Sequence, residues 1–535
     1  MPNPYSVLVE KIALENFQSL RSRVEIPIRP LTFLFGPNSA GKSSIYDSLN
    51  FINAFFKSDR SIIESLFKRW AHIKPSDSNG NVAIIETMKI EIQFSCQEFL
   101  FGGFHGTLGD PASVPEEFWN SSVLKNLISE SEGPYDLKLE LIPTIFQSKE
   151  DGYVSQSLMA SYDLTVSVRG LKLMRLFTPE DEDEYEIEFF SEAFSQIFYD
   201  LADRHGVSSS DPRLYKVQCW PYNFGRGLEL QDDANNGSYE RDLVRLANHI
   251  IRCFSESNFL PAVVSSDRST ISNIELSNFF NSPWSREGIP QEFINAPIGS
   301  VESFGNAGQG VIKAISKSKF KQLLIEKNII TRLKEDEPLI DFVNRSLSHH
   351  LFLDQGYQIV FDICELLSPI GVSNDKDCYV ALLIAHLLDS SGRRMTFEDV
   401  GTGISCIVPV IVGMYESQSF IQQPELHLHP ALQSSLGDIL VESVNRKEAG
   451  RHLIETHSDY LLLRCLRRIR ETSNGRISSD SSLQLSPDKV SVLYFDPQQD
   501  GSTLIKSIRI STQGDFLDRW PRGFFEERGK DIFDE

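Results

Sequence analysis

No run in this sequence approaches the roughly 18 consecutive apolar residues that a membrane-crossing helix needs. The start, Met1-Pro2-Asn3-Pro4-Tyr5, lacks the basic and apolar segments of a secretion signal. Cysteine is sparse: seven residues, at 96, 219, 253, 364, 378, 406 and 465, with no C-x-x-C pair. That spacing excludes a zinc ribbon and a disulfide scaffold, and it fits reduced thiols in a cytoplasm. Positive charge is in deficit, since 52 Lys and Arg against 74 Asp and Glu leave a net charge of −22. Phosphate backbones bind clustered cations, so the chain is no general nucleic-acid coat. Sustained heptads and internal repeats are missing too, which excludes long coiled coils and solenoids.

What remains is a globular composition, 41% apolar and 24% charged over 535 residues, enough for several domains. The first fifty residues read as strands at 6–14, 23–28 and 31–35, then a glycine loop and a helix. From about 75 to 255 short β-rich runs (89–94, 135–142, 162–168) alternate with polar loops, and the acidic run Glu180–Glu184 reads as a solvated loop. Helical patterns cover 240–255 and 309–350, the second a charged lever or cap on the core. A β-rich run resumes at Cys378 and passes into alternating helix and strand to about 497.

Gly36-Pro37-Asn38-Ser39-Ala40-Gly41-Lys42-Ser43 fits the phosphate-binding pattern G-x-x-x-x-G-K-[ST], and a helical pattern begins at Lys42 and runs on through Ser44. Glycines let backbone N–H groups close on a polyphosphate, and the helix N-terminus adds its positive end. Lys42 reaches the β- and γ-phosphates, and Ser43 offers a hydroxyl to Mg²⁺. The expected cofactors are therefore ATP and Mg²⁺. Near the other end, Val400-Gly401-Thr402-Gly403-Ile404-Ser405 precedes an apolar helix, a second phosphate-facing platform or a plain cap. Next come Gln422-Gln423-Pro424-Glu425-Leu426-His427-Leu428-His429-Pro430 and the strand Leu453–Thr456 ending at His457. His427 and His429 lack companion ligands for a metal and read as structural or subunit-contact residues.

The order of these four elements resembles the ABC-type ATPases that include SMC proteins, their break-repair relatives and bacterial defence ATPases. Within that group "GPNSAGKSS", "VGTGIS", "QQPELHLHP" and "ETHSDYLLLR" resemble the overcoming-lysogenization-defect and Septu class. The ending Trp520–Phe533 resembles the tail of Septu ATPases of the PtuA type, also found with some retrons. The likeness covers residues 5–55 and 375–535. It implies an α/β ABC-type P-loop ATPase head built from both chain ends, with a large β-rich then helical insertion. The expected divisions are 1–75 and 376–497 for the two halves of the head, 76–375 for the insertion and 498–535 for a tail able to dock a partner.

The resemblance further implies a homodimer or higher oligomer with ATP between subunits. Gly36 to Ser44 would hold one copy's ATP, and Gly401, Gly403 and Ser405 would contact the partner's γ-phosphate. His457 would be the switch histidine, and position 422 the Mg²⁺-side acid. The implied partners are a separate HNH endonuclease (PtuB-like) and, in retron settings, a reverse transcriptase with its RNA and DNA. Position 422–423 departs from the family, because both expected acids are amides, Gln422 and Gln423. An amide accepts a hydrogen bond from water but carries no charge for Mg²⁺ and is no general base; losing a positioned base costs about 10²–10⁴ in rate. ATP binding with weak or absent hydrolysis is expected, with Glu425 the alternative base from a shifted position. Overcoming-lysogenization-defect nucleases append a metal-dependent domain carrying Asp-x-Asp; only 78 residues follow His457 here and none form that pattern, so this chain is not expected to be the nuclease. The rival reading is a repair or chromosome ATPase of the SMC type with an active cycle. Arg464, Arg467, Arg468 and Arg470 on one amphipathic helix read as a solvated face or a nucleic-acid contact. Trp520, Phe524 and Phe525 with Arg519, Arg522 and Arg528 read as a docking surface or as packing on the domain edge.

Overall fold

A computed structural model describes residues 8–56, 87–95, 135–150, 153–168, 171–177, 185–189, 214–217, 261–266, 277–281, 309–326, 337–352, 356–368, 378–446 and 450–521. Among these, three sheets form. The central one has six strands: β3 (Leu31–Phe35), β10 (Ala262–Val264), β15 (Gln418–Gln422), β16 (Arg451–Glu455), β17 (Val490–Pro497) and β18 (Thr503–Ser507). Their spatial order is β10-β15-β16-β3-β17-β18, parallel except for the last pair. Strands buried on both faces should be apolar throughout. Leu31-Thr32-Phe33-Leu34-Phe35 is buried at every position, and Thr32 satisfies its hydroxyl on the Arg29 carbonyl.

Helices cover this sheet. α1 (Ser44–Phe56) follows β3; α2 (Gln309–Glu326) and α3 (Leu339–Arg345, continued by a π-helical turn Ser346–Leu351) come from the middle of the chain. α4 (Thr402–Tyr415), α5 (Pro430–Ser443) and α6 (Asp459–Ser473) alternate with the late strands. One core cluster joins Phe33 and Phe35 to Val311, Ile315, Phe342 and Leu440. Residues 309–326 and 339–351 are thus part of the core itself, not a cap over it. Lys313 and Glu326 are exposed, Lys321 is buried, and Arg345 bonds Glu337 and Glu442 and so ties α3 to α5.

The second sheet is antiparallel, in the order β2-β1-β4-β5-β6-β7-β8-β9. It joins β1 (Leu8–Glu15) and β2 (Val24–Pro27) to β4 (Met88–Ser95), β5 (Tyr135–Glu150), β6 (Tyr153–Val168), β7 (Leu171–Phe177), β8 (Tyr185–Phe189) and β9 (Leu214–Val217). β4 alternates buried and half-buried residues, as a one-faced strand does. The third sheet is β11 (Ser277–Asn281), β13 (Cys378–Leu388) and β12 (Gln358–Ser368), with β14 (Arg394–Met395) on β13. The insertion is therefore knitted into the head: β4 extends the β1–β2 sheet and β10 edges the central one. The acidic run 180–184 lies outside the described residues, except that Glu184 directly precedes β8, and 240–255 lies outside them entirely.

Gly413 on α4 shows how close β10 sits, because a Cβ there would lie 2.5 Å from Val264 Cγ2. Alanine in a helix interior gains about 1 kcal/mol over glycine, but this contact reverses the sign. Gly413→Ala alone should destabilise by about 1–3 kcal/mol. Added to Val264→Ala it should be neutral or favourable, and equal effects in both backgrounds, read by urea unfolding, would place β10 elsewhere. His452 inside β16 gives a second test. It is fully buried, its Nδ1 lies 2.7 Å from Ser419 Oγ, and burial together with the Arg446 charge pushes its pKa from 6.5 down to about 3. Below pH 6.5 the unfolded chain takes a proton here that the folded chain refuses, so stability falls with pH. His452→Gln should make that loss shallower between pH about 6.5 and 5, by up to about 1.4 kcal/mol per pH unit.

Candidate nucleotide-binding site

The parallel strands β15, β16 and β3 end at one edge, where ligands of α/β sheets bind. At that edge Gln422 pairs in register with Glu455, and Glu455 with Leu34, one residue short of the end of β3. The loop 36–43 leaves β3 there and feeds α1. Its turns need left-handed backbone at Gly36 (φ 142°), Ser39 (φ 62°) and Gly41 (φ 81°). A Cβ on Gly36 would lie 2.6 Å from the Phe495 carbonyl oxygen, and one on Gly41 2.4 Å from Ser19 Oγ. Only glycine fits at either place. Ala40 N–H donates to the Pro37 carbonyl, whereas the N–H groups of Gly41, Lys42 and Ser43 donate to no described backbone carbonyl. That is an anion-binding concavity at a helix N-terminus.

Lys42 is 3% exposed and curls over the loop, donating to the carbonyls of Gly36 (3.1 Å) and Pro37 (2.9 Å) and lying 3.5 Å from Glu455 Oε1. Burial pushes its pKa down, and the Glu455 carboxylate pulls it back up. Pro37, Asn38 and Ser39 are exposed at the mouth, and Ala40 is buried beneath it. Ser43 is half-exposed beside Lys42, while Ser44 is buried and donates to Gln18 Oε1 at 2.6 Å. Gln18 in turn donates to Asp47, so the β1–β2 turn braces the start of α1.

The amides lie on the far side. Gln422 Oε1 accepts from Ser266 N–H at 3.4 Å, and its Nε2 faces Glu455 Oε2 at 3.4 Å. Gln423 has φ 46°, uncommon for a non-glycine residue, and its N–H donates to the Glu455 carbonyl at 2.6 Å. Both oxygens of Glu425 are engaged, one by Thr456 Oγ1 (2.7 Å) and the other by His457 N–H (2.9 Å). Glu425 thus anchors the turn that carries His457. The His457 ring is pushed toward the neutral form by partial burial and by the Lys42 charge, against Glu425 and Glu455. Lys42, Glu425, Glu455 and His457 consequently act on one another in a single site, as the motif order led one to expect for three of them.

The fourth, Glu455, is the residue that sequence reading missed as a site group. Its only signal was an acidic residue directly after Leu453-Ile454 at the strand end. At α4, Gly401 and Thr402 are exposed and Gly403 is half-buried under the His427 carbonyl. Ser405 is fully buried and donates to the Phe397 carbonyl, so the outward hydroxyl here belongs to Thr402. His429 caps α5, accepting from Ala431 N–H, and His427 adopts φ 63° at the exposed turn. No cluster of three metal-ligating side chains occurs among the described residues. A phosphate would meet the bare amides and the buried ammonium, and a hard divalent cation there would draw on oxygen donors such as the Ser43 hydroxyl and the Glu455 carboxylate.

The four arginines of α6 turn onto their own chain. Arg464 and Arg468 share Asp438, Arg467 pairs with Glu471, and Arg470 holds Asp515 and two carbonyls. Trp520 packs edge-on against Phe35 and Phe516 in the core, which settles that residue as domain packing. Arg519 is exposed, and Arg522, Phe524, Phe525 and Arg528 lie outside the described residues. No described helix is long and apolar enough to cross a membrane.

Parts of the chain are similar to known proteins. Residues 8–160 match the AAA ATPase domain model, and residues 485–534 match a "protein of unknown function (DUF3696)" model. Human structural maintenance of chromosomes protein 1B is 35% identical over 109 residues, 17% of this chain and 8% of that protein. The chain thus spans a small fraction of that relative. Among solved structures, an SMC head bound to the C-terminal winged-helix domain of ScpA aligns over 94% of this chain and 98% of its own, at 11% identity and TM-score 0.39. The SMC head domain from Thermotoga maritima aligns over 94% of this chain and 100% of its own, at 10% identity and TM-score 0.35. The phosphate loop, the parallel strand order and the likeness of residues 8–160 to an AAA ATPase domain together give a mixed α/β head of the P-loop ATPase fold.

Proposed function

We propose that this protein is an ATP-held clamp, in which the loop of one copy and the α4 N-terminus of a second copy close on the same nucleotide with Mg²⁺. The observation that carries this reading is the split of the phosphate-facing groups between two surfaces. Lys42 and the bare loop amides form one, and the exposed Gly401-Thr402-Gly403 turn forms the other. A Cβ on Gly401 meets nothing within 4 Å, so that turn is open to a neighbour's phosphate. Turnover in the clamp is slow. Gln422 and Gln423 bring no carboxylate, and both oxygens of Glu425 are committed to holding Thr456 and His457.

The resemblance of the motifs to Septu ATPases extends this reading to a bacterial anti-phage defence subunit that assembles with and controls a separate HNH nuclease. In retron settings a reverse transcriptase with its RNA and DNA completes the assembly. The likeness to structural maintenance of chromosomes protein 1B favours a second reading, a chromosome or repair ATPase whose hydrolysis cycle acts on DNA. The paired guanidiniums of α6 leave little there for a DNA backbone to bind.

Purified protein with Mg²⁺ should retain about one ATP per chain and release little phosphate over an hour. Lys42→Ala should lose the nucleotide and the assembly together, since the ammonium is the one buried cation at the loop. Brisk multiple turnover, and above all turnover stimulated by DNA, would favour the chromosome-type reading instead.

A further inference from the structure

Gln422 stands where the fold calls for a negative charge facing the phosphate site, yet its amide is turned the wrong way to serve. Ser266 N–H holds the Gln422 oxygen, which leaves the Nε2 donor directed at Glu455. An N–H donor repels a cation. One strand closer to the loop, Glu455 ends β16 between Gln422 on β15 and Leu34 on β3. Its two oxygens face two ways, Oε1 toward Lys42 at 3.5 Å and Oε2 toward Gln422 at 3.4 Å. The side chain is 13% exposed, so it reaches the site without being sealed from it. Glu425, the nearby alternative, has both oxygens bound to the His457 turn.

We propose that Glu455 supplies, from the neighbouring strand, the negative charge toward Mg²⁺ that the amide at Gln422 lacks. The proposal rests on the nucleotide-clamp reading above and assigns its cation side. Gln422 becomes a positioning residue, its amide steering the Glu455 carboxylate from behind. A carboxylate at this place favours the divalent cation and leaves the general base missing, because Gln423 remains an amide. Tight Mg²⁺-dependent binding and slow turnover then follow from one arrangement.

A bland alternative gives the opposite sign. If Glu455 merely pairs with Lys42, it competes with phosphate for the ammonium, and removing its charge tightens nucleotide binding with or without metal. The test is equilibrium binding of the fluorescent N-methylanthraniloyl-ATP to the full chain, titrated with Mg²⁺ and repeated in EDTA. Glu455→Gln should raise the Mg²⁺ concentration for half-maximal binding by about 10–100-fold, with affinity in EDTA unchanged or higher. Glu455→Gln combined with Gln422→Glu, which returns the charge to the adjacent strand end, should recover most of the Mg²⁺ response. A Glu455→Gln protein that binds equally well or more tightly at every Mg²⁺ concentration overturns the proposal while leaving the clamp standing. Absence of binding by the unsubstituted protein overturns both.

Discussion

A buried ammonium at the end of a parallel sheet is the constraint on which the rest of this molecule depends. Lys42 is almost wholly removed from water, and such a charge is costly unless it is paired and hydrogen-bonded. Two loop carbonyls and the Glu455 carboxylate meet that need in the absence of phosphate. For the carbonyls to converge, the loop must turn through left-handed backbone at Gly36 and Gly41. For the carboxylate to arrive, β16 must lie beside β3 in a register that brings Glu455 to the strand end. β3, β15 and β16 are buried along nearly their whole length, and their parallel pairing sets Gln422, Glu455 and Leu34 side by side at the strand ends.

Charge placement at this edge is uneven. β15 ends at Gln422, and Gln423 follows it, so two amides stand there. The carboxylates at the edge are Glu455, beside Lys42, and Glu425, which holds the His457 turn. One balances a cation and the other fixes a turn. Neither lies free to take a proton from water. The left-handed backbone at Gln423 and His427 brackets this segment, and strain of that kind, about 1–3 kcal/mol at each residue, persists only where neighbours enforce it. Gln423 N–H bonding to the Glu455 carbonyl and the His429 cap on α5 do the enforcing.

Much of the head was legible in the sequence because its signals are local. The run Leu31–Phe35 before the glycine loop forms β3, the helix expected behind that loop forms as α1, and the strand expected at Leu453–Thr456 is β16, set two residues earlier at Arg451–Glu455. The insertion was less legible. β4 joins the sheet of β1 and β2, and β10 joins the central sheet, through pairings between residues 74 to 157 positions apart that no local pattern encodes. The helices 309–326 and 339–345 read as a charged cap because their composition is polar, yet one apolar face lies in the main core. Ser405 illustrates the same limit at the site: spacing suggests a phosphate contact, but helix phase turns its hydroxyl inward to Phe397. Glu455 escaped notice because its role comes from strand adjacency, which motif order does not express.

The central claim is that each nucleotide is shared between the loop of one copy and the α4 turn of another. Mixing two inactive variants tests it most directly. Lys42→Ala removes the ammonium and Gly403→Arg blocks the turn, so neither alone should retain ATP or assemble. In a mixed pair, one site combines the intact loop of the Gly403→Arg copy with the intact turn of the Lys42→Ala copy. The account predicts that the mixture regains ATP retention and sediments as an assembly, at about half the nucleotide content of the unsubstituted protein. Full retention by Gly403→Arg alone, with no gain on mixing, would mean that each copy holds its nucleotide unaided and would contradict the clamp.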